Sequence, residues 1–417
     1  LLPVVEQTLE VGRADMVLRG VAGQGAWTFA SLASAASVDG PAVVEARRGA
    51  DVAWHAELAG AGGPLATAGS AVFAVTRVRG SADGVVVHGE PGAEVVALDA
   101  GAGAVRWRVR LDGDEWVVAS SLAATPDGGC VVGGVFSGTI RLDGADGKPH
   151  VVTSANRSDG FVARLSAGGE VAWLVRFGGL GADAVTGVAA AGDRVALVGT
   201  FVATAELGGE PLKAFDEHSP LADAVVAELE LATGHLVWEQ TFGGSADDEP
   251  AGVAIDAAGR VAVAGNARDV VHVAAQDLVV HGDSEAMVAW WSGSGAAAGA
   301  VLLGGVGPSA LRGIAAVGDR VVVAGSYRGG IELGARRLTA AGGDDAFAAE
   351  LDATGAVIGA WDIAGPGRED VVAVAGDGGG FVVGVQHTAA ATVDGSAALA
   401  APADPLTGAA VVVRQAR

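Results

Sequence analysis

Eight histidines and one cysteine are the groups from which most metal or nucleophilic chemistry would have to be built. His55, His88, His150, His218, His235, His272, His281 and His387 show no HxH, HExxH or other ligand spacing. His55 falls within a predicted strand and His235 at a turn, while the other six sit in or beside connectors of different repeat units. His272 and His281 share one connector and are the pair expected to lie close. Cys130 stands in a Val-rich stretch, which excludes an internal disulfide or a Cys-based zinc site and fits a buried, inert thiol. No G-x-S-x-G elbow and no phosphate-binding Gly loop occurs in a strand–turn–helix setting. Asp15, Asp183, Asp248 and Asp370 each follow a Gly-rich turn, where a carboxylate accepts backbone N–H groups. They read as turn caps; a calcium ring built from them lacks the support of any DxDxDG-type loop. The sequence therefore predicts no catalytic residues, no cofactor-binding residues, no metal ligands and no cofactor.

One cluster suits recognition rather than catalysis. Phe215, Asp216, Glu217 and His218 place an aromatic ring, two carboxylates and an imidazole on a single connector. They are the candidate partner-binding residues.

The charge balance narrows the partner. With 49 acidic against 26 basic residues the net charge is −23, so phosphate backbones and anionic lipid surfaces are repelled. Nucleic acid is excluded as a partner on this ground. No apolar run reaches the roughly 18 residues of a membrane span, so no membrane insertion is expected. The basic residues are nearly all Arg, which with the Ala, Gly and Val richness suggests a GC-rich bacterial source.

The elements that must position these groups are strands. PAVVEAR (Pro41–Arg47), AEVVALD (Ala93–Asp99), DGFVARL (Asp159–Leu165), DAVVAEL (Asp223–Leu229), EAMVAWW (Glu285–Trp291), DAFAAEL (Asp345–Leu351) and AAVVVRQ (Ala409–Gln415) recur at a period of about 60 residues. Each unit has a short strand a with small residues, such as RGVA (Arg19–Ala22) or TGVA (Thr186–Ala189). A Val-rich strand b follows, then the DAFVAEL-like strand c and a Trp-bearing strand d. Between b and c, segments such as TAELGGEPL (Thr204–Leu212) and IELGARRL (Ile331–Leu338) read as a small hairpin extending strands b and c. Trp54, Trp107, Trp173 and Trp238 share one position on strand d, with Trp361 two residues further on, and read as blade-to-blade packing rather than a cofactor stack.

Leu2–Asp15 matches His235–Asp248, a strand-d segment, whereas no strand d follows Gln415. The expected fold is all-β: a seven-bladed β-propeller of four-stranded antiparallel blades, closed by the N-terminal strand completing the last blade. The expected boundaries within one domain, 1–417, are 15–58, 64–113, 116–179, 184–244, 249–305 and 310–367 for blades 1 to 6. Blade 7 takes its inner strands from 370–415 and its outer strand from 2–11.

The run Asp159–Phe201, DGFVARLSAGGEVAWLVRFGGLGADAVTGVAAAGDRVALVGTF, resembles the bacterial SBBP-type seven-bladed β-propeller repeats found in large surface or secreted proteins of myxobacteria and relatives. The likeness is clear over Ser137–Arg368 and weak over Leu32–Gly92, where blade 2 reads as shortened. It implies a fold and a secreted or cell-envelope setting, with a cytoplasmic one as the alternative, and brings no catalytic residues. VVALDAGAGAVRW (Val95–Trp107) also resembles a repeat of the quinoprotein propellers, but that family's vicinal cysteine pair is impossible with one cysteine.

In such a ring the d–a and b–c loops emerge on one face and the a–b and c–d turns on the other. AAGDR (Ala190–Arg194), DAAGR (Asp256–Arg260) and AVGDR (Ala316–Arg320) are short and alike, whereas the b–c connectors vary in length and charge. The expected function is a non-enzymatic recognition scaffold, a monomeric ring binding a protein, peptide or glycan through the d–a/b–c face. The alternative is a propeller enzyme, a lyase or hydrolase with acid/base residues at the axial mouth.

Overall fold

The structure, a computed structural model, describes residues 5–11, 16–35, 40–82, 85–144, 147–214, 221–244, 246–377, 379–395, 397–402 and 410–415. Strands with Val at alternate and adjacent positions, separated by Gly-centred turns, pair antiparallel with their sequence neighbours throughout. Blade 1 is Met16–Gln24, Trp27–Ser34, Ala42–Arg48 and Asp51–Leu58; blade 2 is Ala61–Ala68, Ala71–Ala82, Val85–Asp99 and Val105–Leu111. Blade 3 is Val117–Ala124, Cys130–Phe136, Asp159–Leu165 and Val171–Gly179; blade 4 is Ala184–Ala191, Arg194–Phe201, Asp223–Glu230 and Leu236–Gly244. Blade 5 is Glu249–Ile255, Val261–Ala267, Glu285–Trp291 and Ala297–Leu303; blade 6 is Ser309–Val317, Arg320–Tyr327, Asp345–Leu351 and Val357–Ala364.

The chain is an all-β propeller, but the expectation of a seven-bladed ring of uniform four-stranded blades is corrected. Six blades are folded from uninterrupted chain. The sheet between blade 6 and blade 1 is a composite of both chain ends, in the order Val5–Val11, Ala410–Gln415, Phe381–His387, Glu369–Gly376. Uniformity fails for a second reason. The sheets of blades 3, 4 and 6 are six-stranded, because each takes on a hairpin from the connector that follows.

Those hairpins do not extend their own strands b and c. Thr204–Leu207 and Glu210–Lys213, from the connector of blade 4, pair through Ala205–Leu207 with Phe177–Gly179 at the outer edge of blade 3. Val270–Val273 of blade 5 pairs with Gly243 and Gly244 of blade 4, and Ala391–Val393 of the composite sheet pairs with Ile363 and Ala364 of blade 6. The hairpins Thr139–Asp143/Pro149–Thr153 and Gly330–Leu333/Arg336–Thr339 touch the preceding blades through single bridges, Ile140 to Gly113 and Ile331 to Gly305. The repeated apolar pair of each hairpin, such as Leu207 with Leu212 or Ile331 with Leu338, is buried by this docking. Each connector thus covers a neighbour's edge strand, whose free N–H and C=O groups would otherwise invite association. Blade 2 is not shortened, since its middle strands run 12 and 15 residues.

The cores lie between blades. Strands such as Val261–Ala267, Glu285–Trp291 and Asp345–Leu351 are buried along their whole length, because both faces of each sheet meet a neighbour. The tryptophans act in this packing. A side chain added at Gly103, Gly169, Gly234 or Gly295 would collide with Trp54, Trp107, Trp173 or Trp238 of the preceding blade. These glycines turn at φ of +70°, +88°, +73° and +82°, a conformation glycine adopts without strain. Trp54, Trp107 and Trp173 also donate their Nε1–H across the blade boundary to the carbonyls of Ala100, Ala167 and Leu231, at 3.0, 2.9 and 2.9 Å. The short, similar c–d turns are therefore one half of an inter-blade lock.

Candidate functional site: the axial channel and its open face

The inner strands of the six blades and of the composite sheet surround an axial cavity of about 510 Å³. Small residues allow that convergence. A side chain on Gly20 would stand 2.8 Å from the carbonyl oxygen of Gly63 in blade 2, and one on Gly187 would stand 3.1 Å from Cα of Gly252 in blade 5. Each inner strand carries a register irregularity, placing Arg19, Gly63 with Pro64, Ser120, Thr186, Ala251, Arg312 and Val372 at irregular positions around the axis. A bulge bends its strand and re-aims the extra residue. Ser120 and Ser121 spend their hydroxyls on the next blade, Ser120 donating to the Val185 carbonyl at 3.0 Å and Ser121 accepting from the Val188 amide at 2.9 Å.

Among the described residues, Arg19 and Arg312 are the ionisable side chains of the channel lining, which has no carboxylate, imidazole, thiol or phenol. Both arginines are exposed, and both stand in the first half of their strands, toward the d–a/b–c face. Arg19 also borders a second cavity of about 290 Å³ on that face, together with Arg77.

Carboxylates do gather on this face, but inside the blade boundaries. Asp159, Asp223, Glu285 and Asp345 open strand c, and Asp183, Asp248, Ser309 and Glu369 open or immediately precede strand a of the next blade; all eight are buried. Backbone amides tie the two rows, from Asp183 to the Ser158 carbonyl at 2.9 Å, from Asp248 to Ala222 at 3.0 Å and from Glu369 to Asp344 at 2.8 Å. Asp183 caps its turn, accepting from the amides of Gly179 at 2.6 Å and Val202 at 3.1 Å; Asp248 accepts from Gly244 at 2.9 Å. Burial, with the nearby Asp159 charge as a smaller contribution, pushes Asp183 up to about 6. Burial, then the Asp223 and Asp247 charges, pushes Asp248 up to about 7. Glu369 is raised as well, by burial and by the neighbouring Asp345 carboxyl. Capping thus describes Asp183 and Asp248, while Asp370 does not occupy the slot: Glu369 does, and Asp370 pairs with Arg368 at 2.8 Å. Asp15 lies outside the described residues.

The candidate cluster Phe215, Asp216, Glu217 and His218 also lies outside the described residues. Of its surroundings in the chain, Lys213 closes the docked hairpin and Asp223 opens strand c of blade 4. The histidines fall differently from their sequence order. His272 bonds Asp277 at 2.8 Å across its own hairpin, whereas His150 and His235 line one rim groove with Trp173 and Glu239. Among the described residues no group of three or more His, Cys, Asp or Glu side chains is arranged to hold a metal. Cys130 is buried, and burial pushes its thiol up, away from thiolate reactivity. Arg19 and Arg312 were in view in RGVA and RGIA, where TGVA and AGVA carry uncharged residues, but only the bulges show that this position belongs to the channel.

No family model matches the chain, so the likeness to SBBP-type repeats stands as a resemblance, and no curated protein matches it. Among solved structures it is similar to BamB from Moraxella catarrhalis, at 14% identity over 100% of both chains with a TM-score of 0.45. It is also similar to a quinohemoprotein alcohol dehydrogenase from Comamonas testosteroni, at 11% identity over 99% of this chain and 76% of that one, TM-score 0.46. Sqt1 from Saccharomyces cerevisiae shows 7% identity over 100% of both chains, TM-score 0.46. Likenesses this remote carry no argument about activity; the propeller rests on the sheets themselves.

Proposed function

We propose that the protein is a non-enzymatic recognition scaffold that binds a protein, peptide or glycan partner through its d–a/b–c face. The observation that carries this reading is the unequal use of the two faces. On the a–b/c–d face the c–d turns of blades 2 to 5 are tied to the preceding blade by the tryptophan–glycine contact, which leaves them little freedom to vary. On the other face the hairpins cover the edges of preceding blades, and the sequences between hairpin and strand c differ in length and charge. A fixed frame that presents variable loops is the arrangement recognition proteins use. The lyase or hydrolase alternative requires an acid and a base at the axial mouth, and among the described residues the channel lining offers arginines alone. A cell-envelope or secreted setting goes with this reading through the repeat resemblance.

The experiment is affinity capture from the source organism. Replacing Phe215, Asp216, Glu217 and His218 together by Gly and Ser is expected to leave the melting temperature nearly unchanged and to abolish capture of the partner. The control is Asp193→Ser with Asp319→Ser on the opposite face, both 80% or more exposed at the side chain. Arg320 is unsuitable there, because it holds the buried Glu350 at 2.6 Å. Capture that survives the fourfold change and is lost in the control places the site on the other face.

A further inference from the structure

The geometry points to a binding site for a small multivalent oxyanion, bearing carboxylate or phosphate groups, at the mouth of the axial channel, with Arg19 and Arg312 as its ligands. This goes beyond partner recognition and stands or falls separately from it. In a chain of net charge −23 most described arginines are taken up by carboxylates, as Arg176 is by Asp159, Arg260 by Asp256 and Arg336 by Asp394. Arg19 and Arg312 are not: among the described residues neither makes an ion pair or a hydrogen bond, although acidic side chains abound on the same face. Both occupy the bulge residue of an inner strand, on blades separated by the composite sheet, and both line one cavity.

Two guanidinium groups facing a shared, carboxylate-free space repel each other and lack an internal counter-charge. An entering anion supplies it, through paired N–H donors whose planar geometry fits carboxylate and phosphate oxygens. The largely Gly, Ala and Val walls concentrate the field of the two charges into the opening. Two further features set the ligand class. The cavity volume is that of small-molecule sites rather than of a folded partner. The strongly acidic surface repels extended polyanions at a distance, whereas a compact anion reaches the mouth with little exposure to that surface. Arg77, exposed in the adjoining cavity that Arg19 also borders, makes room for a third negative group.

The test is isothermal titration calorimetry at low ionic strength with citrate and, separately, with inorganic phosphate. The expected result is saturable binding of at least one of them at one site per chain, weakened about tenfold or more by Arg19→Gln and by Arg312→Gln. Arg48→Gln, which removes an exposed charge away from the channel, is expected to change nothing. Binding of citrate alone assigns a polycarboxylate and binding of phosphate alone a phosphoryl group; either supports the site. Absence of saturable binding by both anions, or binding that R19Q and R312Q leave intact, overturns it. Equal weakening by R48Q also overturns it, because the effect would then belong to the whole surface. The titration needs no partner, so its failure leaves the recognition reading where it stands.

Discussion

Deleting residues 1–12 is expected to lower the melting temperature by on the order of 10 °C and to promote association. Ala410–Gln415 is an inner member of its sheet only because Val5–Val11 pairs along it, from Val5 opposite Gln415 to Val11 opposite Ala410. Without that partner its outward N–H and C=O groups become a free edge at the one place where the ring joins its two ends. The loss also reaches blade 1, since the composite sheet packs against it and Gln386 donates to the Leu18 carbonyl at 3.2 Å. Differential scanning fluorimetry and light scattering on the truncated chain measure both effects. An unchanged melting temperature and an unchanged mass would mean that the terminal strand does not hold the ring.

The second large effect is on pH. Asp183 and Asp248 have folded-state values raised to about 6 and about 7, and Glu369 is raised in the same direction. The folded chain therefore holds protons that the unfolded chain has released above about pH 4, so stability falls as pH rises from there through 7. Each raised carboxyl costs on the order of 2 kcal/mol once fully ionised, and self-repulsion of the acidic surface adds to it. The protein is expected to melt several degrees higher at pH 5.5 than at pH 8.5, the reverse of ordinary acid denaturation. Asp248→Asn and Asp183→Asn, which keep an acceptor for the turn amides without the charge, are expected to raise the melting temperature at pH 8.5 and to flatten the profile. A profile that is level or rises across this range contradicts the raised values of these buried carboxyls.

What could be read from the sequence was what is local. Strand periodicity, the Gly-centred turns and the Trp position recur within each unit, and each has a meaning that depends on a few neighbouring residues. The destination of the hairpins was not local. The paired Leu residues of Thr204–Leu212 announce a hairpin with an apolar side, yet nothing in those residues says that the edge it seeks is Phe177–Gly179 of the blade before. The bulges were hidden for a similar reason, because a single extra residue shows only in the register with strand b, as between Leu18 and Gly20. One residue of offset also explains the acid slot of the composite sheet. Asp370 follows the Gly-rich turn as Asp183 and Asp248 do, but the amide that bonds back to Asp344, just before strand c of blade 6, is that of Glu369. The uniform repeat was the reading that pointed to seven like blades; the six contiguous blades, the composite sheet and the borrowed hairpins show how far the units depart from one another.

Hydrogen–deuterium exchange of the protein with and without its captured partner tests the central claim most directly, because backbone amides report which face is covered. The account predicts slowed exchange in the segments entering strand c, 221–223, 280–284 and 340–344, with no change in the turns 190–194, 256–260, 316–320 and 352–356. Protection confined to those turns, with the strand-c approaches unaffected, would contradict it.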